Sequence, residues 1–193
     1  MKFEVKRQET YSRGELILRT LFGYFYILLP HVFILIFLSI WSQILLLISF
    51  WVILFTGSYP ESFFKFQVNL IKWSTRVNIR LYNLSDGYPA FGLNVEDDAF
   101  ELDIPYPETT SRGLTLVRAL FGIFYVILPH GFILFFRSYA TMFLMFLAFW
   151  AVLFTGKYPE NWHRFNVGTL RWGLRVNLYM AYMTDDYPPF TGK

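Results

Sequence analysis

The sequence predicts an all-α membrane protein built from two tandem repeats, and three observations lead to this prediction. Of the 193 residues, 55% are hydrophobic and only 16% are charged, and the mean hydropathy is +0.38. Water-soluble domains usually carry about 25% charged residues. Two apolar runs of roughly 42 residues recur along the chain. Finally, shifting the chain by about 99 residues aligns it with itself, which is typical of an internal duplication.

The duplication covers almost the whole chain. Residues 12–91 align with residues 111–190 without a gap, and roughly 37 of the 80 positions are identical. The shared motifs, in order, are Ser-Arg-Gly, Leu-Phe-Gly, Leu-Pro-His, Leu-Phe-Thr-Gly-Xaa-Tyr-Pro-Glu, Arg-Val-Asn and Asp-Xaa-Tyr-Pro-Xaa-Phe. We therefore divide the chain into a first repeat (1–91), a polar, acidic linker (92–99) and a second repeat (100–193).

Each repeat opens with a short strand-like segment and continues into an apolar run. Apolar and polar residues alternate in Phe3–Val5 and Leu102–Ile104. The apolar runs, 16–56 and 115–155, exceed the 20 or so residues that one helix needs to cross a bilayer core of about 30 Å. Each run therefore predicts a transmembrane helical hairpin, which reverses direction near residues 39–43 and 137–141. An alternative stays open, in which one kinked helix spans the membrane from the proline onward.

An amphipathic helix follows each apolar run, at about 60–84 and 159–183. Thr-Gly suits a helix C-terminus, and Tyr-Pro-Glu suits the start of the next helix. Apolar residues then recur every three or four positions, with basic residues on other faces. This pattern is typical of a helix lying in the membrane interface. A helix that packs on its own hairpin would show the same pattern, so both interpretations stay open.

The positions of the charges predict topology and exclude several functions. Under the hairpin interpretation, about 16 of the 17 Lys and Arg residues lie on one side of the membrane, and only Arg137 lies opposite. Both termini are then cytoplasmic, and the two repeats insert in the same orientation. The basic residues form no dense patch of the kind that binds nucleic acid. The absence of cysteine excludes disulfides, thiolate metal sites and cysteine nucleophiles.

Two histidines, His31 and His130, are the candidate polar site within the apolar runs. Each follows a proline, and an ionisable residue at membrane depth is a candidate for proton transfer or ligand binding. The structural alternative is that a neutral imidazole satisfies the carbonyl freed by the proline, or packs on a partner helix. No cofactor or metal site is expected, because no second ligand accompanies either histidine.

The remaining candidates are basic, acidic and aromatic residues near the predicted interface. Basic residues there could bind anionic lipid headgroups, each contributing about 1 kcal/mol, or could clamp the tail of the repeat by pairing with an aspartate. These candidates are Lys72, Arg76, Asp86, Arg171, Arg175 and Asp185. The preferred clamp joins Arg76 to Asp86 and Arg175 to Asp185. The predicted interfacial aromatic belt comprises Trp51, Tyr59, Trp73, Trp150, Tyr158 and Trp172.

The motif series resembles the bacterial membrane family known as domain of unknown function 4389. The second repeat, with Phe-Asn-Val-Gly at 165–168 and Tyr-Pro-Pro-Phe at 187–190, is closer to the family pattern than the first. The first repeat departs from it at Gln67, Asn69, Lys72 and Ala90. The resemblance implies a bacterial inner-membrane protein and brings no catalytic residues.

The sequence therefore favours a non-enzymatic integral membrane protein of the inner membrane. The leading expectation is a structural or accessory subunit of a larger complex, with membrane lipids and other membrane proteins as partners. The main alternative is an oligomeric pore or small-solute transporter built around His31 and His130. A lipid-modifying enzyme is a third class, but no serine lies in a nucleophile-elbow context and no acid-base pair is identifiable.

Overall fold

Each repeat contributes one short strand, one very long helix and one shorter helix. A computed structural model describes all 193 residues. The elements are β1 (Lys2–Val5), α1 (Arg13–Thr56), α2 (Glu61–Leu81), β2 (Phe100–Asp103), α3 (Arg112–Thr155) and α4 (Glu160–Met180). The long helices α1 and α3 each contain one π-helical turn, at Tyr24–Leu28 and Ile123–Ile127.

Local signals in the sequence set the ends of the long helices. The hydroxyl of Ser12 accepts a hydrogen bond from the amide of Glu15, which satisfies one free amide at the start of α1. Ser111 caps α3 in the same way. At the other end, Gly57 has a φ of 77° and Gly156 a φ of 73°, a left-handed conformation that glycine adopts without strain.

The predicted transmembrane hairpins are absent, because each apolar run forms one continuous helix of 44 residues. Residues 39–43 and 137–141, where the hairpins were expected to reverse, remain helical. They contain no glycine or proline that would end a helix. The π-helical turns lie directly before Pro30 and Pro129, which the helices therefore accommodate without a break. Both helices are long and apolar enough to cross a membrane, with mean hydropathies of 2.5 and 2.1 over their most apolar windows.

The shorter helices run back along the long helices of their own repeats. In the first repeat, Gln67 of α2 contacts Ser42, Trp73 contacts His31, and Leu81 lies beside Gly23. The apolar stripe of α2 therefore faces α1 and is buried there. The prediction that 60–84 and 159–183 are interfacial helices with lipid-facing apolar stripes is wrong. The alternative, packing against the same repeat, is what the structure has.

The two repeats are related by a local twofold axis that passes through a two-stranded antiparallel sheet. β1 pairs with β2 so that Phe3 lies opposite Leu102, its equivalent in the other repeat, and Lys2 lies opposite Asp103. The predicted strand-like segments are thus strands, and they pair with each other. We call this two-stranded sheet the ribbon. Because the strands join the repeats, the two halves of the chain form one structural unit.

The long helices run antiparallel and contact each other near their ends. The amide of Tyr11, before α1, donates to the carbonyl of Gly156, after α3, at 2.8 Å. The equivalent bond at the opposite end joins Thr110 to Gly57, also at 2.8 Å. In the middle, the long helices stand apart and leave a cleft between the repeats.

The molecule is layered, with the long helices on one side and the ribbon on the other. The shorter helices lie between them: the guanidinium of Arg171 in α4 donates to the carbonyl of Phe3 at 2.8 and 3.0 Å. Beside it, the indole of Trp172 reaches His130, close to the middle of α3. The ribbon therefore sits level with the midpoint of the long helices. The main hydrophobic core extends between the layers and includes residues of both repeats.

Candidate functional site

Each candidate histidine is enclosed by aromatic side chains of its own repeat. The indole Nε1 of Trp73 donates to Nδ1 of His31 at 2.9 Å, and the Phe91 ring stacks on the imidazole with centroids 3.9 Å apart. We call this arrangement the aromatic cage. The second repeat reproduces it with the same distances, using His130, Trp172 and Phe190.

A tyrosine of the tail satisfies the backbone next to each intrahelical proline. In a regular helix, the carbonyl of Tyr26 would accept from the amide of residue 30, which proline lacks. The hydroxyl of Tyr88 donates to that carbonyl at 3.0 Å. In the second repeat, the hydroxyl of Tyr187 donates to the carbonyl of Tyr125 at 2.8 Å. Of the two structural roles expected of the histidine, satisfying this carbonyl is wrong, because the tyrosine of the Tyr-Pro motif does so, whereas packing on a partner helix is what the structure has.

The two cages are separate and hold the histidines as structural anchors. His31 and His130 are each completely buried, and neither lines one of the main cavities of the molecule. Each ring binds the tail of its own repeat to the middle of its long helix. The structure does not bring the two histidines together along a common path.

The acid of each tail is clamped by a different arginine from the one expected. Asp86 pairs with Arg19 at 2.7 Å and also accepts from the amide of Ser12. In the second repeat, Asp185 pairs with Arg118 in the same way. Arg19 and Arg118 are almost entirely buried, so the aspartates neutralise charges that are out of water. The predicted pairing of Arg76 with Asp86, and of Arg175 with Asp185, is wrong.

Arg76 and Arg175 instead bind backbone carbonyls. The guanidinium of Arg76 is fully buried and donates to the carbonyls of Val95 and Gly92. It therefore holds the chain that follows the first repeat and cannot reach a lipid headgroup. Arg175 donates to the carbonyl of Thr191, and burial lowers the pKa of both guanidinium groups.

The other two basic candidates also lie against the protein. Arg171 binds the carbonyls of Phe3 and Gly192, whereas Lys72 is half-buried on α2. Of the six basic and acidic candidates, the structure gives none a fully exposed side chain. The basic groups that are well exposed lie elsewhere, at the ends of helices, as in Lys65 and Arg164.

Only two of the six predicted interfacial aromatics are exposed. Trp51 and Trp150 have 52% and 44% of their surface accessible. The others, Tyr59, Trp73, Tyr158 and Trp172, are buried. Burial raises the pKa of Tyr59 to about 12, so its phenol is neutral at physiological pH. Trp73 and Trp172 are inside because their indole groups donate to the histidines.

Exposed apolar side chains are concentrated on the long helices. All but five of the large exposed apolar residues belong to α1 and α3. They extend along almost the entire length of each helix, from Ile17 to Phe55 in α1 and from Leu116 to Phe154 in α3. We call this surface the apolar face. An apolar surface of this extent is typical of contact with lipid or another protein.

A cleft of about 480 Å³ lies on the twofold axis, between the long helices and the shorter helices. Seven pairs of equivalent positions line it, among them Ser39 and Ser138, Ser74 and Gly173, Asn78 and Asn177. We call it the central cleft. No group of three or more His, Asp or Glu side chains that could hold a metal ion occurs in the molecule.

Sequence reasoning missed the central cleft and the buried arginines. Ser39, Ser42 and Gln43 were visible as polar residues within an apolar run, but they were assigned to a hairpin turn. Arg19 and Arg118 were visible as repeated positions. Their spacing to the aspartates, 67 residues in both repeats, does not identify the clamp, because an ungapped duplication gives every pair of equivalent positions a constant spacing.

These features define a class: a twofold pseudosymmetric helical protein with a continuous apolar face on one side and polar elements on the other. The match to a known protein family agrees with the duplication. The family described as a domain of unknown function (DUF4389) matches residues 15–92 and again residues 115–192, and the chain belongs to that family. No curated protein and no solved structure matches the chain.

Proposed function

We propose that this is a non-enzymatic membrane protein whose long helices lie in the plane of one leaflet. In this proposal it is a structural or accessory subunit of a larger assembly in the bacterial inner membrane. The observation that carries the membrane geometry is the position of the charged ribbon, level with the midpoint of the long helices. The length of the apolar face and the separation of apolar and charged surfaces support the same geometry.

The length of the apolar face argues against a helix that crosses the bilayer. From Ile17 to Phe55, at 1.5 Å per residue, the face of α1 is about 57 Å long. The hydrocarbon core is about 30 Å thick. A spanning helix would have to tilt by about 60° to fit, whereas spanning helices tilt by 0–40°. Lying flat removes this mismatch.

The ribbon argues in the same direction. It carries an exposed ion pair between Lys2 and Glu101, with the exposed acids Glu4 and Asp103 alongside. If the long helices spanned the bilayer, the twofold axis would lie at its midplane, and these charges would face hydrocarbon. A charge at the bilayer centre costs at least about 2.5 kcal/mol. With the helices flat, the same charges face water.

The flat orientation also gives every exposed charged element the same environment. The ribbon and both chain termini lie on the side opposite the apolar face. Both termini would then be cytoplasmic, and the exposed basic groups near the helix ends, such as Lys65 and Arg164, could attract anionic headgroups. The local twofold axis would be parallel to the membrane normal.

The non-enzymatic role is supported by the hydrogen bonds that the polar side chains of the long helices make within the protein. His31 accepts from Trp73, Ser42 bonds to Gln67, and Arg137 bonds to Thr169. These groups hold the fold together, which leaves them unavailable for chemistry. The pore or transporter alternative requires the two histidines to face one path, and no observation favours it, since each histidine sits in its own cage.

Single cysteines test the orientation, because the chain has none of its own. Ser58 and Lys157 are equivalent, exposed positions just after the two long helices. If the helices lie flat, Ser58→Cys and Lys157→Cys react with a membrane-impermeant maleimide from the same side of oriented vesicles. If the antiparallel helices span, the two cysteines react from opposite sides, and the flat orientation is wrong.

The subunit role needs a separate experiment. The tagged protein is purified gently from its native membranes, and everything retained is identified and quantified by mass spectrometry. We expect a membrane protein companion at a constant ratio to this chain. Recovery of the chain as a monomer or homo-oligomer in every mild detergent would remove the basis for an accessory role.

A further inference from the structure

The central cleft is a built cavity with an unusual combination of polarity and position. Its volume of about 480 Å³ falls within the range of about 300–1,000 Å³ that small-molecule sites occupy. It is bounded by both long helices and by both shorter helices, so both repeats contribute to it. Its walls belong to helices and not to loops, which makes them well suited to hold a ligand in a fixed position.

The polar groups of the central cleft are hydroxyls and amides without any charge. They include Ser39, Gln43, Ser74, Asn78, Ser138 and Asn177. Such groups both donate and accept hydrogen bonds. No Asp, Glu, Lys, Arg or His lines the cleft. The nearby Arg137 does not line the cleft, and its guanidinium is engaged by the protein: it donates to the hydroxyl of the lining residue Thr169 at 2.9 Å and to the Phe165 carbonyl at 3.2 Å.

An apolar groove adjoins the cleft on the side of α1 that faces the gap between the long helices. The groove has a volume of about 430 Å³ and is lined by Val32, Leu35, Ile36 and Ile40. It shares Ser39 and Gln43 with the central cleft. The two cavities therefore meet at these two side chains, and the joint surface is polar towards the shorter helices and apolar along the exposed side of α1.

We propose that this space binds one membrane lipid with an uncharged, hydroxyl-bearing headgroup, such as a diacylglycerol or a neutral glycolipid. The headgroup lies in the central cleft, where hydroxyls and amides replace its bonds to water, and an acyl chain lies in the apolar groove. The inference rests on the proposed function, because a flat orientation places the groove within the leaflet from which such a lipid enters.

The chemistry of the walls selects against other ligands. An anionic headgroup would find no Lys, Arg or His among the lining residues of the cleft, and burying a charge without a counter-charge is costly. A free polyol could bond to the same hydroxyls and amides, but it would leave the apolar groove without an occupant. The requirement that the two ligands share is an uncharged group with at least one free hydroxyl, and the attached acyl chains distinguish the lipid from the soluble polyol.

Gly173 provides a variant that fills the cleft. A Cβ atom at this position would meet no other atom within 4 Å, and Gly173 lines the cleft, so the side chain of Gly173→Leu occupies part of its volume. Gly113 is a matched control, because it is also helical with no atom within 4 Å of an added Cβ, but it lies in the first turn of α3, away from the cleft. Asn177→Leu is a second variant, which keeps the number and branching of the side-chain heavy atoms and removes the amide that can form hydrogen bonds.

The experiment measures lipid binding to the full-length protein in mild detergent by native mass spectrometry. Three probes are added separately: dioleoylglycerol, dioleoylphosphatidylglycerol and glycerol. We expect one dioleoylglycerol per chain, with affinity reduced at least tenfold by Gly173→Leu, about fivefold by Asn177→Leu and not at all by Gly113→Leu. Circular dichroism and thermal unfolding verify that the variants remain folded.

Each other outcome contradicts the proposal. Binding of dioleoylglycerol that is insensitive to both cleft variants places the lipid elsewhere on the apolar face. Equal or tighter binding of phosphatidylglycerol that Gly173→Leu abolishes shows an anion site, and binding of glycerol alone shows a soluble ligand. Labelling of the cysteines at positions 58 and 157 from opposite sides would overturn the flat orientation, whichever probe the cleft binds. Labelling from one side without cleft-dependent lipid binding would overturn this inference alone.

Discussion

Pro30 and Pro129 each remove an amide donor from the middle of a long helix, and the chain supplies a substitute from its own tail. The hydroxyls of Tyr88 and Tyr187 donate to the carbonyls that the prolines leave free. The neighbouring phenylalanine stacks on the histidine that follows the proline. The Leu-Pro-His and Tyr-Pro-Xaa-Phe motifs are therefore two halves of one contact, which explains why they recur together.

His163 is a residue-scale difference between the repeats with a measurable consequence. It lies at the position of Phe64 in the first repeat and has only 5% of its surface exposed. Burial lowers its pKa to about 4, with a further contribution from Arg7, while the Leu84 backbone partly opposes this. Its ring packs edge-on against Tyr158. The folded protein therefore holds this imidazole neutral.

We predict that His163→Phe removes part of the acid sensitivity of the fold. Between pH 6.5 and about 4, the unfolded chain binds a proton at His163 and the folded protein does not, so stability falls as the pH is lowered. This difference corresponds to about 3 kcal/mol. The free energy of unfolding in detergent, measured at pH 7 and pH 4.5 for both proteins, tests the prediction. An equal loss in wild type and variant would show that His163 does not titrate in this range.

At the scale of the elements, the tails are held by ion pairs that join the start of a long helix to the end of the repeat. Arg118 is almost completely buried, and its charge is neutralised by Asp185. The same guanidinium also donates to the carbonyls of Tyr179 and Thr184, at 2.9 and 2.7 Å. This one side chain thus connects α3 to the end of α4 and to the tail.

We predict that Asp185→Asn loosens the tail of the second repeat. Removing the carboxylate leaves a buried guanidinium without its counter-charge, and we expect a loss of about 2 kcal/mol, since Asp185 itself is partly exposed. Amide hydrogen exchange of residues 186–192 should become faster. Asp186→Asn is the matched control, because Asp186 is adjacent and exposed. Equal exchange in the two variants would show that the ion pair does not hold the tail.

The sequence predicted the existence and type of the elements better than their arrangement. Caps, repeated motifs and the alternation in Phe3–Val5 correctly indicated helices and strands, because these signals are local. The hairpins were wrong because the length of an apolar run was divided by the thickness of a bilayer. That division assumes a helix perpendicular to the membrane. Nothing in the composition of residues 16–56 distinguishes two short helices from one long helix.

Local sequence patterns also could not predict which charged residues form ion pairs. Asp86 lies ten residues after Arg76, and that pair was favoured because Asp185 recurs at the same offset from Arg175. Arg19, 67 residues away, is the observed partner because α2 returns along α1 and brings its end to the start of the long helix. The central cleft was missed for the same reason, since its lining comes from four helices that the sequence separates by up to 138 residues.

At the scale of the whole molecule, the layered arrangement separates apolar from charged surface. The apolar face contains phenylalanine pairs one helical turn apart, such as Phe33 with Phe37, whose ring centroids are 5.4 Å apart. The equivalent pair in α3 is Phe132 with Phe136, at 5.1 Å. All four side chains are more than half exposed, so they contribute little to the core.

We predict that replacing these four phenylalanines by glutamate abolishes membrane association while the detergent-solubilised protein stays folded. Each substitution removes about 1.5–3 kcal/mol of favourable apolar burial in lipid and adds a charge. Vesicle flotation measures the association. The matched control places four glutamates at Thr10, Ser62, Thr109 and Asn161, which are exposed outside the long helices. Flotation that persists in the phenylalanine variant would contradict a lipid-contacting apolar face.

The twofold axis through Phe3 and Leu102 has an evolutionary consequence. A chain with one repeat has the same strand and the same long helix, so two copies can pair through an isologous interface, and we expect one-repeat relatives to be homodimers. Fusion frees the two halves to differ. Arg137 lies at the position that Leu38 has in the first repeat. Its guanidinium fits because Gly168 and Gly192 lie where the first repeat has Asn69 and Leu93. A Cβ at Gly192 would lie 2.6 Å from the guanidinium. A homodimer would have to carry that arginine twice, whereas the duplicated chain carries it once, on one side of the central cleft.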